Sequence, residues 1–429
     1  MKFNTICVLG LGYIGLPTAS TFATSGIKVI GVDINKQIVA GLQNGHLHLY
    51  EPGLRTLVQA ALRSGNLTIN SQPEAADAFI IAVPTPFKEQ KKADLSFVES
   101  AAQSILPHLR KGNLVVLEST SPPRTTVDLV APILDRSGLK AGQDFLLAYS
   151  PERVLPGQIL RELIENTRVI GGINAASAEA GRDLYTTFVR GEIILTDATT
   201  AEMVKLMENT SRDVNIALAN EFSHLAEKYG VDVWEAIRLA NRHPRVKILN
   251  PGPGVGGHCI SVDPWFLVEA SPEITPLIRT AREINDNQPQ HVVDFCRQKL
   301  GTLKGKTISA LGLAYKADVD DLRESPALMV GELLNKAGAK VVAYEPFKID
   351  FSHPDLKVEK NFRDAITESK VLLLLVAHTE LRNLVPSEVA QLTAARMVID
   401  TVGGWEKEKW EAAGFQYFRL GDGKSMQGK

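Results

Sequence analysis

The sequence predicts an α/β protein built on two doubly wound sheets, joined by a long central helix and a helical middle segment. Three observations carry this expectation. An apolar run, Thr5–Leu9, meets a glycine cluster at once and is followed by a helical stretch and a second apolar run, Lys28–Val32. A related pattern returns near the other end, where Thr307–Leu311 enters Gly312-Leu313-Ala314 and Lys340–Tyr344 follows another helical stretch. Between them, residues 199–229 carry helical periodicity up to Gly230, a natural stop. Both ends read as Rossmann-like, residues 1–198 and 302–429, around a helical middle domain at 199–301.

Composition bounds the function classes. With 429 residues and 44% hydrophobic content the chain exceeds one ordinary domain. A formal net charge of −2 leaves no broad basic field for nucleic acid, although local cationic sites for a small anion remain. The longest apolar runs, such as 371–377, fall well short of a bilayer span. The start, Met1-Lys2-Phe3-Asn4, leads straight into the first strand and does not read as a signal peptide. Three cysteines, Cys7, Cys259 and Cys296, are few and lack metal-ligand spacing. The expectation is a cytoplasmic protein without membrane, nucleic-acid or metal partners.

The first element is a dinucleotide fingerprint in its required context. Gly10-Leu11-Gly12-Tyr13-Ile14-Gly15 follows the strand and opens the helix over 16–24. Gly10 allows the tight turn, Gly12 lets the backbone approach a pyrophosphate, and Gly15 lets helix and strand pack closely. Asp33, at the end of the second strand, is placed for ribose hydroxyls and would repel a 2′-phosphate, so NAD is favoured over NADP. Strand-like runs at 78–83 and 114–117 end in Pro84-Thr85-Pro86 and Glu118-Ser119-Thr120-Ser121. Thr85 and Thr120 then either contact the nicotinamide half or cap the helices that follow.

The central helix opens on Thr199-Thr200-Ala201-Glu202, a capping-box pattern. Lys205, Asn209 and Arg212 stand at i, i+4 and i+7 on one face. Two readings stand: a solvated stripe, or two cations and an amide aimed at an anionic ligand. A second cationic group is Arg242-His243-Pro244-Arg245. A helix C-terminus accounts for Arg242, but less well for Arg245 beyond the proline.

The loop Asn250-Pro251-Gly252-Pro253-Gly254-Val255-Gly256-Gly257-His258-Cys259 is rich in glycine and proline, and it ends on a thiol with Asp263 four residues on. Glycines there let the backbone approach a ligand. Cys259 is a candidate nucleophile and Asp263 a candidate base or orienting group. The alternative is a small buried cysteine at a tight bend. An NAD domain with a nucleophilic cysteine points to oxidation through a covalent adduct, with a Lys and Asn pair stabilising an oxyanion.

Taken in order, these segments resemble the UDP-glucose/GDP-mannose dehydrogenase family along nearly the whole chain. They are joined by Ser150-Pro151-Glu152-Arg153, Gly312-Leu313-Ala314-Tyr315-Lys316 and Asp321-Leu322-Arg323-Glu324-Ser325-Pro326. The resemblance implies an NAD-dependent, four-electron oxidation of a UDP-sugar C6 alcohol to a carboxylate through a cysteine thiohemiacetal and thioester. It implies catalytic roles for Cys259, Lys205, Asn209, Asp263, Glu152 and Thr120. Cofactor contacts fall to Gly10, Gly12, Tyr13, Ile14, Gly15, Asp33, Thr85, Thr120 and Arg323. Substrate contacts fall to Arg153, Val154, Lys205, Asn209, Arg212, His243, Arg245, Gly256 and Lys316.

Within the family, Arg242-His243-Pro244-Arg245 and its surroundings are most similar to the branch that oxidises UDP-N-acetyl-D-mannosamine for surface polysaccharide. UDP-N-acetylglucosamine and UDP-glucose are the alternative substrates. A homodimer or higher oligomer is implied, with UDP carried by residues 302–429. Two departures stand out. Arg124 occupies a place where the family usually has a small residue, often glycine, which puts the loop beside Thr120 in question. Ala317 stands where proline is common.

Overall fold

The computed structural model describes residues 1–88 and 91–426. The chain forms two compact units, one of residues 1–208 with 265–274 and the other of 209–264 with 275–429.

The first unit holds eight strands: β1 (Thr5–Leu9), β2 (Lys28–Val32), β3 (Leu67–Asn70), β4 (Ala78–Ile81), β5 (Leu114–Leu117), β6 (Leu146–Tyr149), β7 (Arg168–Gly172) and β8 (Ile193–Asp197). Their order is β3-β2-β1-β4-β5-β6-β7-β8. The chain order reverses between β1 and β4, which sets the crevice at the carboxyl ends of those strands. Alternation along β1 sends Ile6 and Val8 to one core and Cys7 and Leu9 to the other. That double burial is the signature of a parallel sheet covered on both faces. Two strands break the pattern: β7 runs antiparallel to β6, with Ala148 opposite Gly172 and Tyr149 opposite Gly171, and β8 runs parallel to β7.

The second unit repeats the plan with six parallel strands: β9 (Thr307–Leu311), β10 (Lys340–Tyr344), β11 (Lys357–Glu359), β12 (Val371–Leu374), β13 (Met397–Asp400) and β14 (Gln416–Arg419), ordered β11-β10-β9-β12-β13-β14. Along β12, Val371 and Leu373 enter one core while Leu372 and Leu374 enter the other.

The helix Ala198–Tyr229 spans 32 residues, about 48 Å at 1.5 Å per residue. The capping box expected at Thr199 does not form. Asp197 caps this helix instead, accepting the Thr200 amide at 2.9 Å and the Thr200 hydroxyl at 2.6 Å. Glu202 is buried and bound elsewhere: it accepts the amides of Arg124 and Thr126 and the Thr126 hydroxyl. Capping-box spacing was present in the sequence, but a loop remote in sequence offered Glu202 three donors out of water, and those won. Arg124 itself sits at φ 73°, in the left-handed region that favours glycine, and opens a π-helical turn over Thr125–Val130. Among the described residues no helix is long and apolar enough to cross a membrane.

Candidate active site

At the crevice of the first unit the glycines have distinct jobs. Gly10 lies at φ 91°, and a Cβ there would meet the Ala82 carbonyl oxygen at 2.5 Å. A Cβ on Gly15 would fall 1.8 Å from the Gly10 carbonyl oxygen. A Cβ on Gly12 would meet nothing within 4 Å. Two glycines are therefore needed for packing, and the third keeps space open beside the backbone where a pyrophosphate would lie. Tyr13 and Ile14 are half-buried at this turn. Asp33 accepts the Leu11 amide at 3.0 Å and the Asn35 amide at 2.8 Å, so its carboxylate is held at the end of β2. The open space at Gly12 and the oriented acid fit a dinucleotide. Thr85 donates its hydroxyl to the Thr120 carbonyl at 2.7 Å, which brings the ends of β4 and β5 together at the same edge.

Also in the first unit, Glu152 is buried and held from two sides. Its Oε1 accepts the Arg153 amide at 2.8 Å, and its Oε2 accepts from Arg168 at 2.5 Å. Val154 follows, half-buried. The Arg153 guanidinium is engaged within this unit, by Glu208 at 2.5 and 3.0 Å and by the Thr167 carbonyl at 2.9 Å. Lys205 is buried on the long helix.

In the second unit the cysteine loop is built by close approaches. Gly252 donates its amide to Asn220 at 2.9 Å, and Asn220 donates to Asn285 at 2.9 Å. Asn285 in turn donates to Asp213, which also receives the buried Arg282 at 2.5 Å. A Cβ on Gly256 would meet the Glu324 carbonyl oxygen at 2.3 Å, and one on Gly257 would lie 2.7 Å from the Tyr315 ring. Glycine is required at both because the loop lies directly on neighbouring backbone and ring.

Cys259 follows and is exposed, whereas Cys7 and Cys296 are buried, which pushes their thiols up to about 12. Its carbonyl accepts the amides of Val262 and Asp263, forming the turn into the helix Asp263–Ala270. Asp263 is buried and accepts from the Asn209 amide at 2.5 Å. Burial, then the Arg323 charge, lower the pKa of His258, the residue before the thiol.

The remaining candidates divide. Arg212, His243, Arg245 and Lys316 are exposed. Arg323 is forked onto Asp321 at 2.9 and 2.6 Å. Burial pushes the Asp321 carboxyl up, yet the Arg323 bonds outweigh it and hold it below the usual range. Sequence reasoning missed Arg168, the buried partner of Glu152. The available signal was an arginine opening an otherwise apolar strand, Arg168-Val169-Ile170.

Comparison with known proteins agrees with this architecture. Three models of the UDP-glucose/GDP-mannose dehydrogenase family match: the NAD binding domain over residues 4–189, the central domain over 199–287 and the UDP binding domain over 309–407. A UDP-N-acetyl-D-mannosamine dehydrogenase of Methanocaldococcus jannaschii is 48% identical over 426 residues, 98% of this chain and 97% of that protein. An NDP-N-acetyl-D-galactosaminuronic acid dehydrogenase of Ralstonia solanacearum is 48% identical over 421 residues, covering 96% and 99%. The solved structure of a UDP-D-ManNAc dehydrogenase from Pyrococcus horikoshii superposes with a TM-score of 0.90 at 39% identity, covering 98% of this chain and all of that one. With its NAD crevice, its cysteine loop and these full-length likenesses, the chain belongs to the UDP-glucose/GDP-mannose dehydrogenase family and is an NAD-dependent nucleotide-sugar oxidoreductase.

Proposed function

We propose that the protein oxidises the C6 alcohol of UDP-N-acetyl-D-mannosamine to the carboxylate, in two successive two-electron steps, for surface-polysaccharide synthesis. The observation that carries this reading is the exposed Cys259 thiol at the head of a turn into Asp263, whose carboxylate is bound by Asn209, one helical turn from Lys205. NAD would be held by Gly10, Gly12, Tyr13, Ile14, Gly15, Asp33, Thr85 and Thr120, with Arg323 for the pyrophosphate, and two molecules of it in turn would accept the two hydrides.

In this reading Lys205 and Asn209 hold the C6 oxygen as negative charge develops on it, and Lys205 takes its proton. The Cys259 sulfur adds to the resulting aldehyde carbon as a thiohemiacetal, and the second oxidation leaves a thioester. Water then adds to that carbon, the C–S bond breaks, and the sulfur leaves as thiolate. Glu152, with Asp263 and Thr120, handles the proton of that water. Arg153, Val154, Arg212, Gly256 and Lys316 bind the nucleotide sugar, with His243 and Arg245 serving a partner's site.

Residues 1–198 would carry NAD, 199–301 the cysteine loop and the dimer contact, and 302–429 the UDP. Exposed Met203, Met207, Leu218, Leu225 and Tyr229 on the central helix support a homodimer built along it. The sugar assignment rests on the mannosamine relatives; the galactosaminuronic acid relative keeps in the test a sugar that differs from it at C2 and C4. The protein is incubated with NAD and, separately, UDP-N-acetylmannosamine, UDP-N-acetylgalactosamine, UDP-N-acetylglucosamine and UDP-glucose, following NADH and acid. Two NADH per sugar with the first substrate, lost in Cys259→Ser, is the expected result. One NADH per sugar, or full turnover in Cys259→Ser, ends the proposal.

A further inference from the structure

The reversal of β7 has a chemical consequence in the first unit. A parallel strand would deliver its first residue to the amino edge of the sheet. Because β7 runs antiparallel to β6, its first residue, Arg168, lies at the carboxyl edge, beside Ser150 and Glu152 that follow β6 and Glu118 that follows β5. The Arg168 guanidinium is 4% exposed. It donates to Glu152 Oε2 at 2.5 Å, to Ser150 Oγ at 2.9 Å and to Glu118 Oε1 at 3.4 Å, and it lies 4.2 Å from the centre of the Tyr185 ring. The Tyr185 phenol donates to Glu118 Oε1 at 2.6 Å, and Glu118 Oε2 accepts no hydrogen bond among the described residues.

We infer that Arg168 is a positioning residue that aims the Glu152 carboxylate, with Ser150, Glu118 and Tyr185 bracing the guanidinium from behind. This rests on the reading above, in which Glu152 takes the proton of the water that opens the thioester. The charges support it. Two buried carboxylates face a single cation, and burial, partly offset by Arg168, pushes the Glu118 carboxyl up to about 7. The guanidinium reaches Glu152 through one nitrogen at 2.5 Å, and Ser150 and Glu118 through the other at 2.9 and 3.4 Å, a fixed geometry that an ammonium does not offer.

The test separates hydride transfer from thioester opening. Wild type, Glu152→Gln, Arg168→Lys and Ser150→Ala are mixed with NAD and UDP-N-acetylmannosamine. NADH is followed by stopped flow and the Cys259 adduct by intact-protein mass. Arg168→Lys is expected to open the thioester ~10-fold or more slowly and accumulate the adduct, with the first hydride transfer little changed. Ser150→Ala, the milder change, is expected to slow opening ~5-fold, the weight of one hydrogen bond. It decides the matter if Arg168→Lys does not fold. Slowing of both steps in proportion to the folded fraction, or opening at the wild-type rate, overturns the inference. Absence of any adduct in Glu152→Gln overturns the reading beneath it and the inference together, whereas an adduct in Glu152→Gln alone overturns only the role of Arg168.

Discussion

The turn after β1 and the turn after β9 share one design and end in different states. Each strand runs into a glycine at positive φ, Gly10 at 91° and Gly312 at 81°, where a Cβ would strike the next strand's loop. Each turn is gripped by an acid at the end of the neighbouring strand, Asp33 or Glu345. There the likeness stops. After β1 a helix starts at once, at Gly15, and Gly12 keeps open space beside the turn. After β9 the corresponding position is the buried Ala314, and the next helix waits until Pro326. Asp33 is half-buried. Glu345 is 1% exposed and saturated: it accepts the amides of Leu313 at 2.7 Å, Ala314 at 2.8 Å and Phe347 at 2.9 Å, and it meets His378 Nε2 at 3.1 Å. His378 Nδ1 accepts the Asp318 amide, which leaves Nε2–H to donate. One topology thus yields a ligand cradle when the turn keeps open space and its acid is half-buried, and an internal lock when that acid is buried.

This contrast can be broken at several points. The largest effects are expected from Gly10→Ala and Gly312→Ala, since each Cβ would meet a backbone carbonyl oxygen, at 2.5 and 2.7 Å, from a left-handed residue. Each should cost about 3 kcal/mol or more in denaturant unfolding. Next come the two acids, with opposite signatures. Glu345→Ala leaves buried amides and a histidine without their acceptor, and should cost about 2–3 kcal/mol while NAD affinity holds. Asp33→Ala strands only the Leu11 and Asn35 amides at a half-buried site, so it should cost less, about 1 kcal/mol, while weakening NAD binding ~10-fold or more, read by fluorescence titration.

Gly12→Ala sharpens the same division: unfolding free energy within about 0.5 kcal/mol of wild type, with NAD affinity reduced. A smaller effect concerns acid. Burial alone would raise the Glu345 carboxyl, but the His378 contact and the amides hold it below its ordinary value of 4.5. Its contribution to stability is therefore complete above that value and lost as pH falls through the lowered one. Glu345→Gln should show a shallower acid limb in stability measured from pH 6 to 3. The smallest change is Arg124→Gly. It relieves a left-handed arginine but gives up only an exposed pair with Asp128, and should raise stability by no more than about 1 kcal/mol.

The strands most legible in the sequence were those with near-continuous apolar runs next to glycine. Thr5–Leu9, Lys28–Val32, Leu114–Leu117, Thr307–Leu311 and Lys340–Tyr344 stand at the expected residues. The run expected over 78–83 ends two residues early, at Ile81, where loop residues turn away from the ladder. The sense of β7 was not legible, because Arg168-Val169-Ile170-Gly171-Gly172 reads alike in either direction. Nor was the partner of Glu202, whose spacing to Thr199 satisfied a local rule that a loop some eighty positions earlier overrode.

Local chemistry along the chain determined the fold class, the glycine turns, the NAD preference and the setting of Cys259 on a loop too rich in glycine for helix or strand. These depend on periodicity and on residues within a few positions of one another, which a linear text records. Only the folded chain decided that Asp33 stays half-buried while Glu345 is locked away, that Arg168 reaches Glu152, and that Arg124 takes a left-handed turn. Burial and hydrogen-bond partnership depend on which distant segments share a neighbourhood, and low dielectric makes those partnerships strong enough to override local preference.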